Sequence, residues 1–451
     1  MSLFGLPGVR LKHRKNTANI KPEPIPVPKS VTIPMSMHIG APAVPCVAVG
    51  DAVRVGQRIA EAGAGLSSPI YSGVSGTVKK IDEITVSTGA KMRAVVIECD
   101  GAQTPVEGLT PPEVHDRESF LAAIRESGIV GLGGAGFPTV VKLNVPEGRV
   151  DTVVVNGAEC EPYITSDTRT MLDESELVAE GLALVMKYLS IPNAIFGIEK
   201  NKPQCIAEMK RATAEMSGVS VRALPSLYPQ GGEKVLVYHT TGRVIGEGKL
   251  PLDAGVIVVN CTTLASIAKY LRTGMPLVEK CVTVDGSAVR EPKNLIVPIG
   301  TAVRDVIDAC GGFSETPKKI LSGGPMMGVA LVDLDAPVLK QTNAVLVFGE
   351  KEAMPPRETA CIRCGKCMDL CPLGLSPAEM ANSFSQGDDA SLEKLKVHLC
   401  MECGCCSYIC PAKRNLVQSH RLAKARLRTY QQKQKELKEQ KEQKEGASRG
   451  E

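Results

Sequence analysis

Two short cysteine runs near the C-terminal end constrain this chain more than any other feature. Cys361, Cys364, Cys367 and Cys371 are spaced C-x2-C-x2-C-x3-C and are followed by Pro372, and Cys400, Cys403, Cys406 and Cys410 repeat the spacing with Pro411 next. Three thiolates two residues apart wrap one face of an iron–sulfur cubane, and a fourth beyond a short turn reaches the neighbouring cluster. The expected ligand sets are therefore crosswise. Cys361, Cys364, Cys367 and Cys410 hold one [4Fe-4S] cluster, and Cys371, Cys400, Cys403 and Cys406 hold the other. Zinc also takes four thiolates, but through two C-x2-4-C pairs with a longer gap, which a tight triplet followed by Cys-Pro does not match. Cys405 has no place in the spacing and is read as a small residue beside the ligands.

Of the 16 cysteines, nine lie between Cys361 and Cys410. In a chain of 451 residues this crowding argues metal ligation in a reducing compartment, not a disulfide scaffold. The other seven sit in apolar contexts and are mostly expected in the core, where free cysteine behaves as a small hydrophobe. A net charge of +4 and 3% aromatics, with no basic face interleaved with aromatic residues, exclude nucleic acid as the expected partner. The opening MSLFGLPGVRLKHRK places its apolar run before its basic residues, the reverse of a secretory signal, so export is not expected. No stretch approaches the roughly 20 apolar residues of a membrane span.

The pattern along the chain predicts a multidomain α/β protein. Residues 1–30 are rich in X-Pro pairs and read as an extended arm. Residues 31–112 hold β-branched runs split by glycines and read as a β half-barrel module. Within it, GDAVRVGQRI and SPIYSGVSGTV resemble the half-barrel repeats of biotinyl and lipoyl carrier domains, without a lysine in the Gly73–Gly76 turn to carry a prosthetic group. From 113 to 274, apolar strand runs such as DTVVVN and GVIVVN alternate with amphipathic helix patterns, which argues a buried parallel sheet. Residues 275–350 turn to short β segments around one helix. The cysteine module occupies 351–418, and 419–451 is a Lys, Glu and Gln tail with too few apolar residues to pack.

Three polar motifs interrupt the α/β region. Gly131-Leu-Gly133-Gly134-Ala-Gly136-Phe137 matches G-x-G-x-x-G in form, but the clear strand follows it, the reverse of the dinucleotide-binding order. Its glycines still permit a backbone cradle for a phosphate or a flat ring. Asn156-Gly-Ala-Glu159-Cys-Glu161-Pro follows a buried strand, where open α/β sheets bind ligands. Tyr228-Pro-Gln-Gly231-Gly232-Glu233-Lys234 places a glycine pair at a helix start.

GLGGAGFPTVVK, NGAECEP, YPQGGEK and VVNCTTLA resemble, in the same order, the flavin- and NADH-binding segments of the 51-kDa subunit of respiratory complex I and its hydrogenase relatives. The β module before them, a GGPMMG segment at Gly323 to Gly328 and the doubled cysteine run resemble the C component of Rnf-type ferredoxin:NAD oxidoreductases more closely. The resemblance implies a barrel-sandwich-like module, an FMN- and NADH-binding α/β domain, a β-grasp-like unit of the soluble-ligand-binding kind and a two-cluster ferredoxin module. It implies FMN at Gly131, Gly133, Gly134, Lys142, Asn156, Glu159, Tyr228, Gly231, Asn260 and Thr263. It implies NADH stacked near Phe137, with Glu161 and Glu233 positioning the nicotinamide. Leu132, Ala158 and Gly232 replace charged residues of complex I, so those contacts do not carry over. The implied partners are NADH and the integral membrane and ferredoxin-like subunits of an Rnf complex, with this chain peripheral on the cytoplasmic face of the membrane. A cobalamin reductase of metabolic microcompartments and a non-catalytic cluster scaffold are the rival readings.

Overall fold

Val153, Val154 and Val155 are fully buried, and a strand apolar on both faces has its natural place inside a parallel sheet. In the computed structural model, which describes residues 6–85 and 89–448 with side chains to 439, that strand is Thr152–Asn156. Residues 1–5 of the expected arm, 86–88 of the expected β module and 449–451 of the expected tail lie outside the described residues.

The parallel sheet runs in the order Val219–Leu224, Asn193–Glu199, Thr152–Asn156, Val256–Asn260. The chain builds outward from its first strand through two neighbours, then returns to add the last strand on the other side. The topological switch point therefore falls between Thr152–Asn156 and Val256–Asn260, where the crevice of an open α/β sheet binds its ligand. Asn156 and Asn260 are register partners at the C-terminal ends of those two strands.

Two units divide the chain. One comprises 12–226 and 236–354, and the other comprises residues up to Leu11, 227–235 and 355 onward. The larger unit contains the parallel sheet and the β module, whose sheets are ordered Ser30–Pro34, Lys91–Cys99, Gly76–Thr85, Ala52–Val53 and Val44–Pro45, Arg58–Glu61, Ile70–Tyr71. It also contains a six-stranded sheet built on Glu279–Asp285, Lys293–Pro298 and Ala344–Phe348.

The arm does more than link. Glu23–Pro24 pairs parallel with Leu295 and Ile296 as an edge strand of the six-stranded sheet, and Lys15 reaches into the α/β domain. A proline-bearing strand suits an edge, where the missing N–H faces no partner.

The smaller unit holds the cysteine module against the helix Leu416–Ser448. Ala423 and Leu427 of that helix pack with Leu375, Met380, Leu392 and Val397. The expected unpacked tail from 419 is thus corrected at its start, because His420, Ala423 and Leu427 give its first turns a buried face, and only beyond Tyr430 are the described side chains exposed. Among the described residues no helix is long and apolar enough to cross a membrane.

Candidate flavin cradle and cluster module

The glycine loop is closed at its base and open at its lip. Val130 bridges Pro138, and the Gly131 N–H donates to the Phe137 carbonyl at 2.8 Å. Inside the loop, the Leu132 N–H donates to Thr263 Oγ1 at 3.1 Å, and its carbonyl accepts from Lys280 Nζ at 2.9 Å. Gly133, Gly134 and Ala135 are exposed, and their N–H groups find no acceptor among the described residues. Gly133 leans on Asn260: a Cβ there would lie 2.4 Å from Asn260 Nδ2, whereas one on Gly134 would meet nothing within 4 Å.

Asn260 is the N-cap of helix Cys261–Thr273. Its Oδ1 accepts from the N–H groups of Thr262 and Thr263 at 2.9 and 3.3 Å, and its Nδ2 donates to Asp167 at 2.7 Å. Asn is a favoured N-cap for this reason. Asn156 Oδ1 accepts from the Ala158 N–H at 3.2 Å, and Lys142 Nζ donates to the Val258 carbonyl at 3.0 Å.

The structure turns the two carboxylates after Asn156 in different directions. Glu159, at a left-handed φ of 42°, accepts from the Asp167 N–H at 2.7 Å and from Thr168 Oγ1 at the start of helix Ser166–Asp173. Burial pushes its carboxyl up, against the opposing charge of Lys15 at 3.7 Å. Glu161 accepts from the N–H groups of Met326 and Met327 at 3.0 and 2.8 Å, which ties the strand-end loop to the GGPMMG segment.

Two lysines hold that loop from behind. Lys15 Nζ donates to the carbonyls of Glu159, Glu161 and Ile164, and buried Lys202 donates to the Ala158 carbonyl at 2.6 Å while paired with Glu199 at 3.0 Å. Neither was legible as part of the site, because their partners are backbone carbonyls distant or unremarkable in sequence. Lys280 offered a signal: it is a charge inside the apolar strand EKCVTVD.

In the smaller unit, Tyr228 exchanges backbone bonds with Val9 at 2.8 and 2.9 Å, and its carbonyl accepts from Cys405 Sγ at 3.8 Å. Gly231 and Glu233 follow, half-buried. Gly232 is pressed by Met401, whose Cε would lie 2.3 Å from a Cβ there. Tyr228, Gly231 and Glu233 thus belong to the unit of the cysteine module, not to that of the glycine loop.

Four of the eight thiols come together, one from the first run and three from the second. Cys371, Cys400, Cys403 and Cys406 line one cavity with Met380, Val417 and His420. Burial first, then the charges of Cys403 and Cys371, pushes the Cys400 thiol up to about 11, and burial with Cys400 and Cys403 pushes Cys406 up to about 12. Burial, with a smaller contribution from the charge of Cys410, pushes the Cys367 thiol up. Iron–sulfur ligation requires all of these as thiolates, so cluster assembly must expel their protons. No three described ligand groups converge tightly enough for a single metal ion, whereas a cubane spreads its four thiolates around a larger body. His420, fully buried, donates from Nε2 to the Pro377 carbonyl at 2.9 Å and places Nδ1 3.6 Å from Cys400 Sγ. Cys405 is buried beside Cys403, which fits its reading as a neighbour of the ligands.

Four family models match in order: an RnfC barrel sandwich hybrid domain over 6–102, a Nuo51 FMN-binding domain over 124–269, an SLBB domain over 281–330 and a 4Fe-4S dicluster domain over 356–411. Fold and site together define a flavin- and iron–sulfur-binding electron-transfer protein. The chain is 44% identical over 373 residues to the C component of the proton-translocating ferredoxin:NAD(+) oxidoreductase complex of Clostridium ljungdahlii, covering 82% of this chain and 81% of that one. It is 42% identical to the Na(+)-translocating counterpart of Acetobacterium woodii, covering 88% and 90%. With the C component of the ion-translocating oxidoreductase complex of Rhodobacter capsulatus the identity is 38%, over 92% and 81%. The chain belongs to the RnfC family, the C components of these Rnf complexes. Among solved structures, a chain of an NAD+-reducing [NiFe]-hydrogenase shares the fold at a TM-score of 0.50 and 19% identity, with 69% of this chain spanning 64% of that one.

Proposed function

We propose that this chain is the peripheral NADH-handling component of an ion-translocating ferredoxin:NAD+ oxidoreductase, held at the cytoplasmic face of the membrane by integral and ferredoxin-like partner subunits. What carries the reading is the presence, on one chain, of an open glycine loop at a sheet switch point and two four-cysteine runs matched by a 4Fe-4S dicluster domain. FMN supplies the step between a hydride pair and single electrons, and the clusters accept electrons one at a time.

The open amides of Gly133 and Gly134, with Gly131, Lys142, Asn156, Asn260 and Thr263 around them, form the FMN cradle, to which family resemblance adds Glu159, Tyr228 and Gly231. Glu159 and Thr263 serve it from behind, Glu159 by capping a helix and Thr263 by holding the loop base. Family resemblance assigns NADH positioning to Phe137 and Glu161 and, in the other unit, to Glu233. Glu161 reaches the nucleotide only by sharing or releasing the amides of Met326 and Met327. Cys371 with Cys400, Cys403 and Cys406 holds one cluster, and Cys410 with Cys361, Cys364 and Cys367 holds the other.

The test is reconstituted protein carrying iron and FMN. Addition of NADH should bleach the flavin band near roughly 450 nm, as flavin chemistry requires; bound clusters without FMN uptake or NADH-dependent bleaching would leave only a cluster scaffold. Among the described residues no helix is long and apolar enough to cross a membrane, and a peripheral attachment through partner contacts and surface charge should release in high salt or chaotrope. Extraction that demands detergent would contradict the peripheral placement.

A further inference from the structure

Lys280 is a charged side chain buried to 4% exposure in the strand Glu279–Asp285, on the same face as the core residues Val282 and Val284. A lysine in such a place is costly unless its ammonium is fully used. Its Nζ donates to the Leu132 carbonyl at 2.9 Å and to Asn343 Oδ1. Burial pulls its pKa down to about 8, partly countered by the charge of Asp167, so the group remains cationic at neutral pH.

The consequence lies one peptide away. The Leu132 carbonyl and the Gly133 N–H share one planar trans peptide and point in opposite directions. Because Lys280 draws the carbonyl inward and Thr263 holds the Leu132 N–H inward at 3.1 Å, the Gly133 N–H is turned outward to the exposed lip. Without an inward anchor, a glycine-rich loop is free to flip that peptide, since glycine adopts φ of either sign.

We infer that Lys280, contributed by the β-grasp-like unit, is a positioning residue for FMN: it fixes the Leu132–Gly133 peptide so that the loop presents its amide to the cofactor. This rests on the FMN reading of the glycine loop. It makes cofactor capture depend on a strand outside the flavin domain and explains a buried cation that the core does not need.

The experiment is FMN binding to iron-reconstituted protein, read by quenching of free flavin fluorescence. Lys280→Met should weaken the dissociation constant about tenfold or more, the scale of one lost charge-assisted hydrogen bond. Lys280→Gln, which keeps a donor toward the Leu132 carbonyl without the charge, should recover most of the affinity. Wild-type affinity in a folded Lys280→Met protein overturns the inference, and so does equal loss in both variants, which would show that packing or charge, not orientation, is at work. If Lys280→Met does not fold, Asn343→Ser, which loosens the other anchor of the ammonium, should weaken binding several-fold, and unchanged binding there also overturns it. A wild-type chain that takes up no FMN defeats the FMN reading itself, an outcome distinct from a wild type that binds and a variant that binds equally.

Discussion

At Gly133 the space for a side chain is already taken by Asn260 Nδ2, 2.4 Å from where a Cβ would stand. Asn260 cannot yield cheaply, because the same amide caps helix Cys261–Thr273 and bonds Asp167. Gly133→Ala should therefore displace either the loop or the cap and weaken FMN binding about tenfold or more, with a stability loss on the order of 1 kcal/mol from the disturbed cap. Gly134→Ala, with nothing within 4 Å of its Cβ, should fold as the wild type does. Fluorescence titration and thermal melting of the pair check both statements, and equal affinity in the two variants would refute the first. At this scale the sequence marked polar residues at a strand end but not the partners they meet. Asn156, Glu159 and Glu161 stand out as polar groups at a strand end, yet Glu159 is spent on the amide of Asp167 and Glu161 on those of Met326 and Met327. Which of a carboxylate's possible partners it meets is set by contacts more than a hundred residues away, as with Met326, and no local pattern encodes them.

Secondary elements were far more legible. The runs VVVN and VIVVN are apolar without alternation, which only a strand buried on both faces explains, and they pair in register from Thr152 with Val256 to Asn156 with Asn260. The N-terminal arm was not legible, because two-residue edge pairing at Glu23–Pro24 leaves no periodicity to read. The cysteine module was legible in full spacing, since thiolate geometry around a cubane dictates sequence intervals. It yields a direct expectation. Cys371 faces Cys400, Cys403 and Cys406 across one cavity, so Cys371→Ser should damage the cluster held by the second triplet and largely spare that of Cys361, Cys364 and Cys367. Iron counting and EPR of the single variant decide it. Damage confined to the cluster of its own triplet would show that each run ligates independently.

At the scale of the whole molecule, buried lysines join separate parts of the chain. Lys340 is fully buried and donates to the carbonyls of Pro69 and Gly128 at 2.7 Å each, which joins the β module to the α/β domain. Burial pulls its pKa down to about 7 from 10.5. The unfolded chain thus holds a proton that the folded chain has released across that window, so stability from this group rises with pH from about 7 toward 10.5, at up to about 1.4 kcal/mol per unit. Relative to Lys340→Met, the wild-type melting midpoint should climb between pH 7 and pH 9, and parallel curves would refute the assignment. The division into two units supports a last expectation. Gly133, Asn156 and Asn260 lie in one unit, while Cys364, exposed at the first triplet, lies in the other. Under the proposed function the nucleotide half-reaction takes place at the glycine loop, and none of that loop's described hydrogen bonds involves the Cys364 thiol. Cys364→Ser should therefore keep NADH oxidation by an artificial acceptor that draws electrons from flavin, and lose transfer to the natural partner. Asn156→Ala should lose both together, through lower flavin occupancy. A folded, flavin-loaded Cys364→Ser protein that cannot reduce the artificial acceptor would mean that the nucleotide meets the clusters first, and the order of electron transfer assigned to this chain would be reversed.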